Sequence, residues 1–501
     1  MIPSSIRKPI ALAAALFLTE IVSAAPPPNI VIIYADDLGY GDLGCYGAKA
    51  IRTPNIDRLA AQGQRFTDGY ATSATCTPSR YALLTGKYPW RRKDTNILAG
   101  DAPLIIEPGS ITLPALLQKA GYQTAVIGKW HLGLGQPGKP ADWNGIVTPG
   151  PRQVGFTFNH IMAATGDRVP TVYVENDRVV NLDPADQIRV SYGKKIGDEP
   201  TGRDNPELLK MPADDQHSDT ITNGVSRIGF MTGGKAARWK DEEHGDHFLR
   251  QAVSYIETHK DGPFFLYFAS HEPHVPRVPA PRFVGATGLG PRGDVIVQFD
   301  EQVGEIIKTL DRLKLIENTL VILSSDNGPV LNDGYEDDAD KKNGNHTPGG
   351  PFSGGKYSKL EAGTRVPFIT CWPGKISPGV SGALVSHIDF LASFAALAGV
   401  TPPTGTDSHD ALHVLLGKKA AGRDFVVEQG ISGLALRSGN WKYIPPVKGP
   451  AVIKSMRTGN DPKPQLYDLS KDPGETKNLA AKHPEKLKEL TAMLKAIKEG
   501  S

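Results

Sequence analysis

The run Asn29-Ile-Val-Ile-Ile-Tyr-Ala35, which ends on Asp36-Asp37, decides how this chain is read. It is continuously apolar and β-rich with no polar alternation, as expected of a strand covered on both faces of a parallel sheet. Three further runs share the design. Thr124-Ala-Val-Ile-Gly128 leads into Lys129-Trp-His131, and Pro263-Phe-Phe-Leu-Tyr-Phe-Ala269 leads into Ser270-His271-Glu-Pro-His274. Thr319-Leu-Val-Ile-Leu-Ser-Ser325 leads into Asp326-Asn327. Helical patterns separate them: residues 56–66, 113–122 and 247–259, and a stripe of Val303, Ile306, Ile307, Leu310 and Leu313. Strands alternating with helices predict an α/β fold, a large doubly wound, mostly parallel sheet.

In such sheets ligands sit beyond the carboxyl ends of the strands. All four runs end there in polar residues, which predicts one shared site. Asp36, Asp37 and Asp326 would bring carboxylates together, and two such charges about 4 Å apart repel by about 4 kcal/mol at an effective dielectric near 20. A cation resolves that repulsion, and a set of Asp, Asp, Asp and Asn327 suits a hard ion, Ca²⁺ or Mg²⁺. Alternate residues of an extended segment point the same way, so Lys129 and His131 are expected to face that site together. His exchanges protons near neutral pH, and Lys holds an anionic oxygen. Of His271 and His274 only one is needed as proton donor. Lys356 lies in a Gly-rich loop, Ser353-Gly-Gly-Lys356.

Cys76 opens the stretch Cys76-Thr-Pro-Ser-Arg80-Tyr-Ala-Leu-Leu-Thr-Gly86. The Pro-led turn places residue 76 at a helix N-terminus, where unpaired N–H groups favour anions. This stretch closely resembles the signature of the type I, formylglycine-dependent sulfatases, arylsulfatase-like members of the alkaline phosphatase superfamily. The resemblance runs from Asn29 to Leu466-Tyr-Asp-Leu-Ser-Lys-Asp-Pro-Gly-Glu475, weakest between residues 136 and 245. It implies that Cys76 is oxidised to Cα-formylglycine by a formylglycine-generating enzyme, and that the hydrated aldehyde is the nucleophile. It also implies that Asp36, Asp37, Asp326, Asn327 and residue 76 hold Ca²⁺ or Mg²⁺. Arg80 would steady the nucleophile while Lys129 and Lys356 grip sulfate oxygens. His274, in Pro-His-Val-Pro, would protonate the departing alcohol, and His131 would help to release sulfate. His271 is left as a substrate contact or a surface residue. The chain departs from the family at Lys356-Tyr-Ser, where many relatives have Lys-Gly-Thr.

The remaining features set the context. With 56 basic and 54 acidic residues, nothing in bulk charge points to nucleic acid or an anionic membrane. Arg7 and Lys8, the apolar residues 10–21 and the small residues up to Ala24 read as a signal peptide over 1–24, with export to the periplasm or outside and no stable membrane anchor. Three cysteines, Cys45, Cys76 and Cys371, do not make a disulfide-built protein, and Cys45 and Cys371 are expected to stay unpaired. Residues 136–245 read as an excursion that shapes a pocket. A boundary at Pro402-Pro403 divides a catalytic domain, 25–400, from an antiparallel sheet with a covering helix, 401–501. The function expected is hydrolysis of a sulfate monoester on a small molecule or glycan. The alternatives are a phosphoesterase or phosphonate hydrolase on the same scaffold, or a non-catalytic binder of sulfated glycans.

Overall fold

The computed structural model describes residues 26–500. The residues read as a signal peptide lie outside them. A ten-stranded sheet organises the larger part. In chain order its strands are β1 (Asn29–Ala35), β2 (Gln64–Phe66), β3 (Gln123–Lys129), β4 (Phe158–Met162), β5 (Tyr173–Glu175), β6 (Arg178–Val179), β7 (Phe264–Ala269), β8 (Thr319–Ser325), β9 (Phe368–Cys371) and β10 (Gly379–Ser381). Their spatial order is β10-β2-β9-β8-β1-β7-β3-β4-β5-β6. The centre, β8-β1-β7-β3-β4, is parallel throughout, and β9 and β5 join it antiparallel on either side.

The apolar runs are buried on both faces because helices cover both. Ile30, Ile32, Tyr34, Val126 and Tyr267 face a layer that includes α2 (Cys76–Thr85), α3 (Leu113–Lys119) and α6 (Phe390–Leu397). Val31, Ile33, Ile127, Leu266 and Leu323 face α1 (Pro54–Gln62), α4 (His244–Thr258) and α5 (Pro291–Arg312). Each fully buried Val, Leu or Ile contributes roughly 1.5–3 kcal/mol, so the layers rather than helix propensity hold these elements. The expected helix over 56–66 stops at Gln62; Gln64–Phe66 instead pairs as β2 with β9 and β10.

The excursion is more regular than its composition suggests. It contributes β4, β5 and β6 to the main sheet. At the C-terminal end, β11 (Phe425–Gly430), β12 (Gly433–Ser438), β13 (Trp441–Ile444) and β16 (Gln465–Asp468) form an antiparallel sheet. Leu490 and Leu494 of α7 (Pro484–Glu499) pack on its Val427, Leu436 and Tyr443. Between β13 and β16 a small hairpin, β14 (Val452–Ile453) and β15 (Met456–Arg457), projects back towards the main sheet. No helix among the described residues is long and apolar enough to cross a membrane. Cys45, Cys76 and Cys371 form no disulfide.

Candidate active site

Side chains from strand ends that are far apart in sequence meet at the carboxyl ends of the sheet's central parallel strands. The parallel register of β1 and β8 sets Ala35 beside Ser325, so Asp36-Asp37 and Asp326-Asn327 leave the sheet together. The Asp37 N–H donates to Asp326 Oδ1 at 3.2 Å, and Asn327 Nδ2 donates to Asp37 Oδ1 at 2.7 Å. Cys76 begins α2 after an extended Thr75, and the whole helix is buried. Arg80, one turn on, therefore points the same way. Its Nε and Nη2 lie 3.0 and 2.8 Å from Asp326 Oδ2, and its Nη1 donates to the Lys129 carbonyl at 3.1 Å. Lys129 Nζ is 2.5 Å from Asp36 Oδ2, and Lys356 Nζ joins Asp37 Oδ2 at 2.9 Å to Asp333 Oδ2 at 2.8 Å.

Three left-handed, non-glycine residues border this cluster: Asp37 (φ 64°), His131 (φ 52°) and Tyr357 (φ 75°). Such conformations cost roughly 1–3 kcal/mol each and gather at functional sites. His131 corrects the strand-alternation argument. β3 ends at Lys129, and it is the positive φ at 131 that turns the imidazole to the site. Its Nε2 donates to the Leu98 carbonyl at 2.9 Å, which leaves Nδ1 buried without a partner. His274 Nδ1, 2.6 Å from the Val275 carbonyl, must donate there, so its Nε2 faces Asp37 Oδ2 at 3.8 Å. His271 is neither on the surface nor in the cavity. It is buried and accepts the Gly166 N–H at 3.2 Å, so it props the loop carrying Asp167.

After these pairings Asp36 Oδ1 and Asn327 Oδ1 remain buried without a hydrogen-bond donor. Buried acceptors of that kind are costly to leave unpaired. One atom each of Asp36, Asp37, Cys76 and His274 also lies within 4.8 Å of the others. Two free oxygens beside a carboxylate-rich set fit a hard cation. Asp326 stands outside that tight group; its Oδ2 meets Arg80 and its Oδ1 accepts the Asp37 N–H.

The electrostatics follow the same geometry. Burial, then repulsion from Asp326, raises the Asp36 carboxyl well above the usual range; burial also raises Asp37 against the pull of Lys356. Burial acts to raise Asp326 as well, but Arg80 and Lys129 outweigh it and hold it low. Burial pushes the Cys76 thiol up to about 12, so an unmodified side chain stays protonated and is a poor thiolate nucleophile. Burial, then Lys356 and Lys129, lowers His274 well below its ordinary value.

A cavity of about 290 Å³ opens on this cluster. Cys76, His131, His274 and Lys356 line its inner end; Asp167, Arg168 and His217 line a wall supplied by the excursion. Arg168 Nη1 is 2.7 Å from both Asp167 oxygens. His217 lies between Asp214 (2.6 Å) and Asp167 (3.4 Å). Those carboxylates offset the cost of burial and raise its pKa.

Comparison with known proteins decides the family. The family model described as Sulfatase matches residues 28–400. The chain belongs to the sulfatase family. It is 52% identical over 476 residues to an N-acetylgalactosamine-6-O-sulfatase of Bacteroides thetaiotaomicron, covering 94% of this chain and 93% of that one. It is 35% identical to human arylsulfatase A, over 93% of this chain and 85% of the other. A solved Bacteroides thetaiotaomicron 6S-sulfatase, described for metabolism of multiple glycosaminoglycans, superposes with a TM-score of 0.93 at 52% identity, covering 95% of this chain and all of that one. The protein is thus a sulfuric ester hydrolase. Sulfatases use a metal ion and a formylglycine, and this sulfatase has a buried cluster of Asp36, Asp37, Cys76 and His274.

Sequence reasoning brought Cys76, Arg80, Lys129, His131, His274, Lys356, Asp36, Asp37, Asp326 and Asn327 to this site, and the structure gathers them all. It missed Asp333, Asp167 and Tyr357. Asp167 follows the end of β4, a fifth strand terminus. The polar Asn159 and His160 inside Phe158–Met162 disguised that strand.

Proposed function

We propose that this sulfatase is an exported enzyme that removes sulfate from a hexosamine 6-sulfate released from a glycosaminoglycan-type glycan, through formylglycine at position 76 and a bound Ca²⁺. The observation that carries the reading is the match, across nearly the whole of both chains, to an N-acetylgalactosamine-6-O-sulfatase. It is supported by a cavity whose inner end carries Cys76, His131, His274 and Lys356 and whose wall carries Asp167, Arg168 and His217, groups suited to sugar hydroxyls. Export rests on the apolar leader, and maturation of Cys76 requires a formylglycine-generating enzyme as partner.

Asp36, Asp37, Asn327 and the neighbouring Asp326 would hold the cation, which supplies Lewis-acid stabilisation of charge on sulfate oxygens. Formylglycine supplies a hydrated aldehyde as oxygen nucleophile in place of the thiol. The chain's own residues do the rest. Arg80, locked on Asp326 and the Lys129 carbonyl, fixes the floor on which side chain 76 stands. Lys129 and Lys356 place two ammonium groups around the ester, a preorganised clamp of the kind that lowers barriers most. His274 keeps Nδ1–H on the Val275 carbonyl, so its second proton sits on Nε2, facing the cavity. The sulfate ester brings a negative charge between His274 and the lysines. That charge raises the depressed pKa and lets Nε2 protonate the leaving alcohol oxygen. His131 holds its own proton at Nε2 on the Leu98 carbonyl and offers Nδ1 to take up the proton released at the site.

The test is a panel of sulfated monosaccharides assayed with the purified enzyme. Turnover of N-acetylgalactosamine 6-sulfate ahead of 2-, 3- and 4-sulfated sugars is the expected result. Preference for another position contradicts the substrate assignment and leaves the sulfatase chemistry intact.

A further inference from the structure

One part of the cavity is built by the C-terminal sheet rather than by the catalytic part of the chain. The hairpin β14–β15 reaches across, and Ile453 and Lys454 at its tip line the cavity. Lys454 Nζ lies 2.7 Å from Asp214 Oδ2, on the excursion that forms the opposite wall. The other Asp214 oxygen accepts His217 Nδ1 at 2.6 Å, and His217 Nε2 is 3.4 Å from Asp167. An alternating chain of charges, Lys454–Asp214–His217–Asp167–Arg168, thus runs along the cavity's outer side, with the Lys454–Asp214 pair partly exposed.

The turn that delivers Lys454 is unusual. Its two central residues, Lys454 (φ 46°) and Ser455 (φ 66°), are both left-handed, as a two-residue type I′ turn requires. Asn and Gly take those places at least cost, yet here a lysine occupies the first. The hairpin's base is anchored independently of the ion pair. Arg457 donates to Ser353 Oγ at 3.0 Å and to the Glu475 carbonyl at 3.3 Å, and Met456 packs against Gly355, which leaves no room there for a Cβ. A firmly held base and a strained tip aimed at a carboxylate on the far wall describe a latch. At about 290 Å³ the cavity lies near the ~300 Å³ lower end of ligand pockets, room for about one sugar residue.

We propose that Lys454 is a specificity-determining residue: by pairing with Asp214 it closes the outer wall and limits the leaving group to about one ring in size. The claim rests on the sulfatase reading and goes beyond it, because it assigns the size limit to one ion pair between sequence-remote segments. Lys454 acts through Asp214 and the wall it fixes, as a positioning residue.

The experiment compares nitrophenyl sulfate with an aryl sulfate extended at the para position by two further rings, in the wild type and in Lys454→Ala, Lys454→Glu and Lys454→Arg. The readout is the ratio of kcat/KM for the long ester to that for the short one, which cancels any change in folded or matured enzyme. The ratio is expected to rise at least fivefold in Lys454→Ala and further in Lys454→Glu, mainly through KM of the long ester. Lys454→Arg, which can still reach Asp214, should keep the wild-type ratio. An unchanged ratio in Lys454→Glu, a wild type that already treats both esters alike, or a ratio that falls because Lys454 grips the long ester directly would overturn the proposal. Hexosamine 6-sulfate is assayed beside them. If the wild type cleaves aryl sulfates and not that sugar, the substrate assignment fails, and the latch is still judged by the aryl ratio.

Discussion

Under the C-terminal sheet Lys442 lies 2.9 Å from Glu361 and 2.7 Å from Glu428, with Glu475 3.9 Å away. At the strand ends Lys129 and Lys356 stand 2.5 and 2.9 Å from Asp36 and Asp37, beside Asp326. Both clusters bury carboxylates with lysine and arginine, and both leave carboxylate oxygens without donors: Glu428 Oε1 and Glu475 Oε1 in one, Asp36 Oδ1 in the other. Their surroundings differ. The Glu361 cluster is sealed, and the only species small enough to relieve it is a proton. Burial, then repulsion from Glu361, accordingly raises Glu475 to about 8 against the pull of Lys442. The Asp36 cluster opens on a cavity and adjoins Cys76, so it can accept an ion and an anionic ester. Buried charge is therefore not a sign of function by itself; access and a reactive neighbour make it one.

Breaking the open cluster should cost most. Cys76→Ala is expected to lower turnover by ~10⁴-fold or more, as loss of a nucleophile does elsewhere, with an unchanged melting temperature. His274→Ala should cost ~10²–10⁴-fold on a sugar sulfate, the usual worth of a general acid. On nitrophenyl sulfate the loss should be much smaller, because nitrophenolate leaves without a proton. Equal losses on both substrates would deny His274 the proton. Removing the cation with a chelator should abolish activity and lower stability, by about 2.7 kcal/mol if the ion had been at a hundredfold excess over its Kd. Added Ca²⁺ should restore both, measured as turnover and Tm.

The sealed cluster sharpens the contrast with a small effect of another kind. Glu475 has a folded pKa above its ordinary 4.5. Its favourable contribution is present below the ordinary value and is lost as pH rises through about 8. Tm should therefore fall between about pH 5 and about pH 8 and level off above it. Glu475→Gln should flatten that fall by on the order of 2 °C and leave kcat untouched. An unaltered slope would mean that Glu475 is ionised throughout.

Much of this was legible in the sequence because a strand buried on both faces must be apolar, so polar residues at its end stand out. Asp36, Lys129, His274 and Asp326 are all of that kind. What escaped is equally physical. β4 carries Asn159 and His160, which find partners in the excursion, and its mixed polarity hid both the strand and Asp167 beyond it. His131 faces the site through a left-handed backbone that no alternation rule contains. Asp333 and Lys454 sit in irregular segments whose position depends on tertiary packing, and no periodicity marks them.

The most direct measurement is the mass of the proteolytic peptide containing residue 76, taken from a preparation of known specific activity. The account predicts an aldehyde at position 76 in a fraction of molecules that tracks turnover. A fully active preparation in which residue 76 is an intact thiol would contradict it.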